Sequence, residues 1–477
     1  MGVQARMKKF TTVQTAKAIL KVLPRISEEK LLRLSIVQKG LDAVSYYPEG
    51  RDFLKSLLLQ GRRAMPRSSK SCLTKFAENL IVNEFIAATP KREEFRSRYG
   101  FDPPFFLVLS PTMRCNLTCY GCYAGQYEKG AELDTDLIHR VLREAKEMGI
   151  YFVTVSGGEP FIRPDLLDIF ATHEDMYFQV YTNGTFIDSK MAKTLSRLGN
   201  VLPAISVEGW EKETDARRGP GAFQKILDTM TRLKEEGVLF GFSATATRQS
   251  NELIISDEFV NFFAERGCFL GWYFNYIPIG KAPDLSLMPT PEQRMFRWQR
   301  LMELRRRAPM VLVDFWNDGA LVGGCIAGDR YLHINCRGDV EPCVFIHFSI
   351  DNIKKKSLAE ILNSGFFQAI RRRQPYTQNY FRPCLIIDHP HLLRQVVEES
   401  GAHPTHPGAE TILTQFSGEM KEYASAYGKL ADDLWKEQDP SVVLAYLRRR
   451  FPSADKLEAG GYRPGKLKPV LKKEENR

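Results

Sequence analysis

The pattern of apolar and polar positions changes twice along this chain of 477 residues. From about residue 105, short apolar runs alternate with amphipathic stretches, which predicts parallel strands connected by helices. The predicted strands cover residues 105–109, 152–155, 177–181, 204–207, 240–244 and 271–276. The predicted helices cover residues 136–148, 189–198, 223–236 and 257–266, each followed by a glycine. Six right-handed strand–helix units curve into an open barrel, so the expected fold class is α/β with a partial, TIM-like (β/α)6 barrel.

The sequence on either side of this core has a different pattern of apolar and polar residues. The first hundred residues are predicted to be helical, with a helix start at Ser27 followed by two glutamates. Later, the apolar runs 331–335 and 340–345 flank Arg337-Gly338-Asp339, which is the signature of a hairpin. We therefore expect four segments: a helical basic region 1–104, a core 105–310, a small Cys-rich α+β extension 311–390, and a helical region 391–477 with a disordered basic tail from about Gly460.

The overall composition is ordinary for a soluble globular protein, with 43 % hydrophobic and 26 % charged residues. No apolar run approaches the roughly 18 residues that a membrane-spanning helix requires. The N-terminal stretch also lacks the continuous apolar core of a signal peptide, because polar and charged residues interrupt it. We therefore expect a cytoplasmic protein.

The basic charge is concentrated near the N-terminus. The first hundred residues contain 20 lysines and arginines against 9 aspartates and glutamates, and so account for the whole formal net charge of +10. Such a segment can face an anionic membrane surface, a nucleic acid or an acidic redox partner, or can simply be a solvated helical face. Nucleic acid is disfavoured because no distinct aromatic and basic binding module is present. Peripheral contact with the inner membrane surface has modest support from apolar positions along one side at Val13, Ala16, Ile19 and Leu20, beside Lys17 and Lys21.

Nine cysteines in a chain without an export signal favour metal ligation over disulfides, because cytoplasmic thiols are kept reduced. Cys115, Cys119 and Cys122 crowd into eight residues directly after the first predicted strand, at the rim where barrel enzymes carry their chemistry. A cubane of four irons ordinarily takes four cysteines, so three leave one iron open to another ligand, as catalysis requires. Close spacing also suits tetrahedral zinc, and a zinc-binding scaffold without activity remains an alternative.

The spacing C-x-x-x-C-x-x-C at residues 115–122 resembles the signature of the radical S-adenosylmethionine (SAM) superfamily. The resemblance implies that these cysteines hold a catalytic [4Fe-4S] cluster that binds SAM. After the second predicted strand, Gly157, Gly158 and Glu159 are similar to the family's Gly-Gly-Glu motif, whose backbone and carboxylate hold the SAM ammonium. Glycines allow the backbone to approach a ligand closely, and a carboxylate complements a positive amino group.

Further rim positions would complete the site that the resemblance implies. Asn183 after the third strand, and Ser206 and Glu208 after the fourth, match positions that contact the nucleoside and its ribose in relatives. Glu208 stands where many relatives carry aspartate. Arg217 and Arg218 resemble the segment that supplies an arginine to the SAM carboxylate, and we prefer Arg218 because a glycine follows it.

The chain departs from the family pattern immediately before the third cysteine. Relatives usually carry an aromatic residue there, close to the adenine, whereas this chain has Gly121. The flanking Tyr120 and Tyr123 are the expected substitutes as a stacking surface.

The second cysteine group resembles the C-terminal extension called SPASM, or twitch in its shorter form, which holds auxiliary [4Fe-4S] clusters. The resemblance assigns Cys325, Cys343 and Cys384 as ligands. The full SPASM pattern takes about seven cysteines, so at most one auxiliary cluster is expected. Its fourth ligand is open. Cys336 lies at the hairpin turn and is explained equally well as a bystander thiol, and His347, Asp388 and His389 are weaker candidates. Four ligands would suit the cluster to electron transfer, whereas three would leave room to bind substrate.

The resemblance implies an enzyme that works anaerobically through radical chemistry. An electron from a donor such as flavodoxin or ferredoxin would cleave SAM to methionine and a 5′-deoxyadenosyl radical, which abstracts hydrogen from an unactivated C–H bond. The protein would orient the substrate and exclude water and oxygen. The outcome would be an oxidation or the formation of a C–C or C–S bond. The substrate is open between a ribosomally made peptide and a lipid or acyl chain.

Overall fold

The computed structural model describes residues 26–43, 48–439 and 441–442. The apolar positions predicted at residues 13–20 and the tail predicted from Gly460 lie outside the described residues. Within the described ranges, no helix is long and apolar enough to cross a membrane.

The described strands form one large sheet and one short antiparallel pair. They are β1 (Phe106–Leu109), β2 (Phe152–Val155), β3 (Tyr177–Thr182), β4 (Val201–Val207), β5 (Gly241–Ala246), β6 (Leu270–Asn275), β7 (Val311–Asp314), β8 (Tyr331–Ile334), β9 (Val340–Glu341), β10 (Phe348–Ser349) and β11 (His403–Pro404). The large sheet has the order β7-β6-β5-β4-β3-β2-β1-β8-β9, and β10 pairs with β11. Neighbours in the large sheet are parallel except for β8 with β9.

Helices precede, connect and follow these strands. They are α1 (Glu28–Arg33), α2 (Ser35–Ala43), α3 (Pro48–Ala64), α4 (Lys70–Lys75), α5 (Thr89–Tyr99), α6 (Thr135–Glu147), α7 (Leu166–Thr172), α8 (Ser189–Leu198), α9 (Glu211–Arg218), α10 (Ala222–Glu235), α11 (Asp257–Glu265), α12 (Pro291–Arg305), α13 (Gly319–Val322), α14 (Leu358–Leu362), α15 (Gly365–Arg373), α16 (Pro390–Ser400) and α17 (Ser417–Lys436). Helix α4 continues directly into a π-helical segment, Phe76–Ala87.

The α/β fold class and the partial barrel are confirmed. All six predicted strands are present as β1 to β6, each hydrogen-bonded to the next in parallel. Helix α8 illustrates why the prediction succeeds, because its ends carry the expected signals. The Asp188 carboxylate accepts a hydrogen bond from the Met191 amide at the N-terminus, and Gly199 ends the helix with a φ of 72°.

The sheet is longer than the six predicted units. Strand β7 adds to β6 with Val311 beside Leu270, and β8 adds to the other side of β1 with Tyr331 beside Phe106. The barrel sheet therefore crosses the predicted boundary at residue 310, and the predicted hairpin, now β8 and β9, is part of it. The division into four segments remains a prediction, but the core and the extension share one sheet.

The N-terminal helices cover the amino ends of the strands. The Phe76 ring meets the rings of Tyr177 and Phe269 edge-on, with both centroid distances 5.7 Å. The Asn79 side-chain amide donates to the carbonyl of Met176 at 2.8 Å. Because this end is covered, the carboxyl ends of the strands are the face left for a site formed by the connecting loops.

Candidate active site

The carboxyl ends of the strands surround a cavity of about 410 Å³. The loop after β1 carries Cys115, Cys119 and Cys122 into its wall, so the structure brings the three predicted cysteines together. Burial raises the pKa of Cys115 and of Cys122, and the charge of the neighbouring Cys119 adds to both shifts. Thiols in such surroundings lose their protons when they coordinate a metal centre.

Two glycines after β2 allow this loop to take its position. The Gly158 amide donates to the carbonyl of Thr112 at 3.0 Å, and the Glu159 amide donates to the carbonyl of Arg114 at 2.8 Å. A Cβ on Gly158 would lie 2.1 Å from the Arg114 carbonyl oxygen, and one on Gly157, whose φ is +116°, would lie 2.3 Å from that of Thr112. The pair is therefore required for the close approach of the two loops, and both glycines also line the cavity.

The Glu159 carboxylate lies beneath the cavity rather than in its wall. The side chain is fully buried, and its oxygens accept hydrogen bonds from the Thr182 hydroxyl at 2.8 Å and from the backbone N–H of Asn183 at 2.7 Å. Burial raises the pKa of this carboxyl group, against the lowering effect of these donors. The predicted direct contact with the SAM ammonium is therefore not what the geometry favours. The carboxylate instead fixes the turn that presents Asn183.

Three other predicted residues face the cavity: Asn183, Ser206 and Tyr123. The Asn183 side-chain amide donates to Asn116 Oδ1 at 2.9 Å, and its nitrogen lies 3.9 Å from Cys115 Sγ. The Tyr123 hydroxyl is 2.6 Å from the Ser156 hydroxyl, and burial raises the pKa of Tyr123 to about 12. Asn116, which sequence reasoning passed over, thus links the cysteine loop to the β3 turn. Contacts of these side chains with a nucleoside remain a prediction.

Glu208 pairs with both predicted arginines. The Arg218 Nε donates to Glu208 Oε1 at 2.9 Å, and Arg217 Nη1 donates to Oε2. Both arginines line the cavity, whereas Glu208 lies behind them with only 3 % of its side chain exposed. Its carboxylate therefore positions two guanidiniums instead of meeting the ribose as predicted. Arg217 also donates to the Tyr120 carbonyl at 3.1 Å, which ties α9 to the cysteine loop.

The space next to Gly121 is filled by Tyr276, a residue that sequence reasoning missed. Gly121 has a φ of +64°, and a Cβ there would lie 2.7 Å from Tyr276 Cε2. Tyr276 follows β6 directly and lines the cavity. Tyr120, by contrast, is 48 % exposed, donates its hydroxyl to Asp284 at 2.7 Å and does not line the cavity, so the geometry favours Tyr276 over it as a stacking surface. The available signal was the position of Tyr276 at the end of a predicted strand.

The second predicted cysteine group also comes together. Cys325, Cys343 and Cys384 line a second cavity, of about 630 Å³, at the amino ends of the strands. Burial raises the pKa of all three thiols, to about 12 for Cys343. The Tyr331 hydroxyl donates to Cys343 Sγ at 2.6 Å.

Cys336 does not join this group. It is fully buried beneath the first cysteine loop, where it packs with Met113 and Tyr127 and lies 3.8 Å from the Glu128 carbonyl. Strand β8 runs parallel to β1, so Cys336, which follows β8, lies at the carboxyl ends of the barrel strands. Strand β9 runs antiparallel to β8, so Cys343, which follows β9, lies at the amino ends. The geometry therefore contradicts the prediction of Cys336 as a ligand.

The weaker candidates for a fourth ligand are engaged elsewhere. Asp388 forms a fully buried ion pair with Arg294. The His389 ring contacts a backbone carbonyl at 2.9 Å, and the His347 ring meets the His406 ring at 2.6 Å. None of the three candidates lines the second cavity.

The donor chemistry at both cavities fits iron–sulfur clusters, because each cavity is lined by three cysteines and thiolate is the ligand that such clusters take. Across the part of the chain that the structure describes, no three cysteine, histidine, aspartate or glutamate side chains converge as ligands of a single metal ion would.

Comparison with known families gives two matches. Residues 109–246 match the Radical SAM superfamily, and residues 325–385 match SPASM, an iron-sulfur cluster-binding domain. The first match begins at the end of β1 and ends with β5, and the second begins at Cys325 and ends at Leu385, so it spans the three cysteines of the second cavity.

Several curated proteins are similar to this chain. An Fe-coproporphyrin III synthase of Methanosarcina barkeri is 34 % identical over 333 residues, which cover 60 % of this chain and 81 % of that protein. A mycofactocin maturase of Mycolicibacterium smegmatis is 30 % identical over 291 residues, covering 57 % and 71 %. An AdoMet-dependent heme synthase of Nitratidesulfovibrio vulgaris is 25 % identical over 299 residues, covering 56 % and 81 %.

Among solved structures, that of SuiB from Streptococcus suis bound to S-adenosylmethionine is similar in fold. The TM-score is 0.52 at 20 % sequence identity, and the match covers 62 % of this chain and 73 % of that one. At this identity the likeness supports the fold alone.

Proposed function

Since the chain belongs to the radical SAM superfamily, we propose that Cys115, Cys119 and Cys122 hold the [4Fe-4S] cluster at which this enzyme cleaves SAM. The observation that carries the proposal is the first cavity, where these thiols stand opposite the backbone of Gly157 and Gly158 and beside two arginines. The SPASM match implies auxiliary iron–sulfur chemistry as well. We assign that role to the three cysteines of the second cavity.

A reduced [4Fe-4S] cluster held by Cys115, Cys119 and Cys122 would supply one electron for the cleavage of SAM to methionine and a 5′-deoxyadenosyl radical, and that radical would take a hydrogen atom from a substrate C–H bond to give 5′-deoxyadenosine and a substrate radical. The proposed electron donor is flavodoxin or ferredoxin. The protein's own part is to bind, orient and protect the reactants.

Different residues around the first cavity bind different parts of SAM. The guanidiniums of Arg217 and Arg218 suit the SAM carboxylate, because planar forks bind carboxylates through paired hydrogen bonds. The ring faces of Tyr123 and Tyr276 offer stacking surfaces for the adenine. The buried Glu208 holds the arginine pair at the wall before SAM arrives, so little ordering is left for the binding step.

Anaerobic reconstitution tests the proposal. The wild-type protein should bind about eight irons per chain, as two cubane clusters require, and should form 5′-deoxyadenosine from SAM under reduction. Cys115→Ala should abolish SAM cleavage. Cys268→Ala is the control for loss of one thiol, because Cys268 packs in the barrel core and does not line the cavity. Zinc in place of iron, with no SAM cleavage, would contradict the proposal and support the scaffold alternative.

The substrate class is a finer question. The relatives include a heme synthase, an Fe-coproporphyrin III synthase and a mycofactocin maturase, so they do not agree on one kind of molecule. A solved structure of SuiB contains a precursor peptide, which keeps a peptide substrate as one alternative. Peripheral membrane contact through the basic N-terminal region is also a proposal, and a protein that ignores anionic liposomes at low salt would exclude it.

A further inference from the structure

The second cavity reaches well beyond its three cysteines. One side is formed by α3 and the π-helical segment, and the other by the amino ends of the barrel strands. Its volume of about 630 Å³ falls within the roughly 300–1,000 Å³ of small-molecule sites. Even with a cluster at the cysteine end, the space between the N-terminal helices and the sheet is available to a ligand.

The wall of this space is apolar. Away from the cysteines it is formed by side chains such as Phe53, Leu57, Phe76, Leu80, Leu202 and Leu270. Among the described residues, no lysine, arginine or histidine lines it. Its three carboxylates are already paired with arginines: Glu84 with Arg92, Asp314 with Arg297 and Asp318 with Arg305. An anionic molecule such as a carboxylate-bearing tetrapyrrole would therefore find no counter-charge there.

Unpartnered donors in the wall point to the kind of ligand that fits. The Tyr177 hydroxyl, the Gln179 side-chain amide nitrogen and the indole N–H groups of Trp272 and Trp316 are buried, belong to residues that line the cavity, and have no hydrogen-bond partner among the described residues. Such groups are rare in folded proteins, and a ligand oxygen would satisfy them. A peptide would bring both an N–H and a carbonyl with every residue, and four donors in an otherwise apolar wall cannot pair them all.

The cavity also has an apolar rim. Phe105 is 42 % exposed and Val322 is 37 % exposed, and both line it. Exposed apolar groups grouped at an opening are typical of sites that bind apolar molecules.

The second cavity adjoins the first. Phe106, Trp272, Phe315 and Tyr331 line both, so these aromatic side chains form part of the wall between the two spaces. A hydrocarbon chain bound in the second cavity would therefore lie next to the site proposed for SAM.

We propose that the second cavity binds the hydrocarbon chain of the substrate, with an oxygen of the ligand meeting the Tyr177 hydroxyl. The assignment to the substrate rests on the proposed function. It also gives the N-terminal helices a function, because α3 and the π-helical segment form one wall of the binding site. An acyl and an isoprenoid chain share this chemistry.

Equilibrium dialysis of the reconstituted full-length protein tests the proposal, with radiolabelled methyl palmitate as the acyl probe and geranylgeraniol as the isoprenoid probe. At least one should bind saturably at one site per chain, and the tighter of the two identifies the source. Leu202→Trp fills the space and should weaken binding at least tenfold. Phe296→Trp is the control, because Phe296 is 47 % exposed on α12 and should leave binding within twofold.

A second variant guards against a folding defect in Leu202→Trp. Tyr177→Phe removes only a hydroxyl, and should weaken methyl palmitate binding at least threefold while leaving hexadecane binding unchanged. The proposal is overturned if neither probe binds saturably, or if both cavity variants bind like the wild type. Formation of 5′-deoxyadenosine is measured on the same samples, so that failed chain binding with intact SAM cleavage rejects this inference and leaves the proposed function standing.

Discussion

The Tyr331 hydroxyl donates a hydrogen bond to Cys343 Sγ, with the oxygen and sulfur 2.6 Å apart in a fully buried pair. Tyr331 lies in β8 and lines both cavities, whereas Cys343 follows β9 and lines only the second. The tyrosine therefore stands between the proposed SAM site and the proposed auxiliary cluster. Hydrogen bonds to cluster sulfurs are one of the means by which a protein adjusts reduction potential.

Tyr331→Phe should shift the midpoint potential of the auxiliary cluster to a more negative value. The hydrogen bond draws negative charge from the sulfur and so stabilises the reduced cluster. Without the hydroxyl, the reduced cluster is less stable and its potential falls. Redox titration followed by electron paramagnetic resonance measures the shift. Tyr273→Phe is the matched control, because its buried hydroxyl donates to the Ile254 carbonyl in the barrel wall. Equal potentials in the wild type and Tyr331→Phe would show that the hydrogen bond does not tune the cluster.

Gly158→Ala should lower iron content from about eight to about four per chain. The added Cβ would meet the Arg114 carbonyl oxygen at 2.1 Å, and since that contact is backbone, the cysteine loop must move as a whole. Gly130→Ala is the control, because a Cβ there meets nothing within 4 Å. Iron and sulfide analysis after reconstitution gives the answer. A Gly158→Ala protein with full iron content would mean that the loop does not depend on this close approach.

The barrel and its first cysteine group could be predicted because their signals are local. Period-two and period-3.6 patterns, helix caps and glycines located β1 to β6, and the spacing of Cys115, Cys119 and Cys122 needed no knowledge of the fold. Strand β7 was missed because its three apolar residues, 311–313, after a charged helix are too short a run to separate from a loop. The prediction begins β4 too late because the strand contains Pro203, a residue usually found in edge strands, although β4 is a central strand of this sheet.

The errors at the site concern the direction of the strands and the hydrogen-bond partners of buried side chains, neither of which can be read from the sequence. Cys336 is close in sequence to Cys343, but β8 and β9 are antiparallel, so the two cysteines lie at opposite ends of the barrel strands. Glu159 and Glu208 have the expected charge, yet each is already bonded to donors of its own chain. Partners of this kind can be found only when the fold is known.

Tyr276→Leu should weaken SAM binding about tenfold, whereas Tyr276→Phe should stay close to the wild type. The phenyl ring keeps the face next to Gly121, and the loss of an aromatic contact corresponds to about 0.5–1.5 kcal/mol beyond the loss of buried area. Anaerobic calorimetry of SAM binding to the reconstituted protein measures both variants. Tyr120→Leu serves as the control, because that side chain faces solvent. If Tyr120→Leu weakens binding and Tyr276→Leu does not, the adenine contact belongs to Tyr120, as first expected.

Glu208→Gln should destabilise the fold and weaken SAM binding together. The variant leaves the guanidiniums of Arg217 and Arg218 side by side without a counter-charge, and removing one partner from a buried ion pair costs about 3–5 kcal/mol. Urea unfolding gives the stability, and calorimetry gives the affinity. Glu211→Gln, on the exposed first turn of α9, is the control for loss of one negative charge. Glu208→Asp restores the charge one methylene shorter and should recover part of both losses, whereas a stable Glu208→Gln protein with normal affinity would show that the arginines do not need this carboxylate.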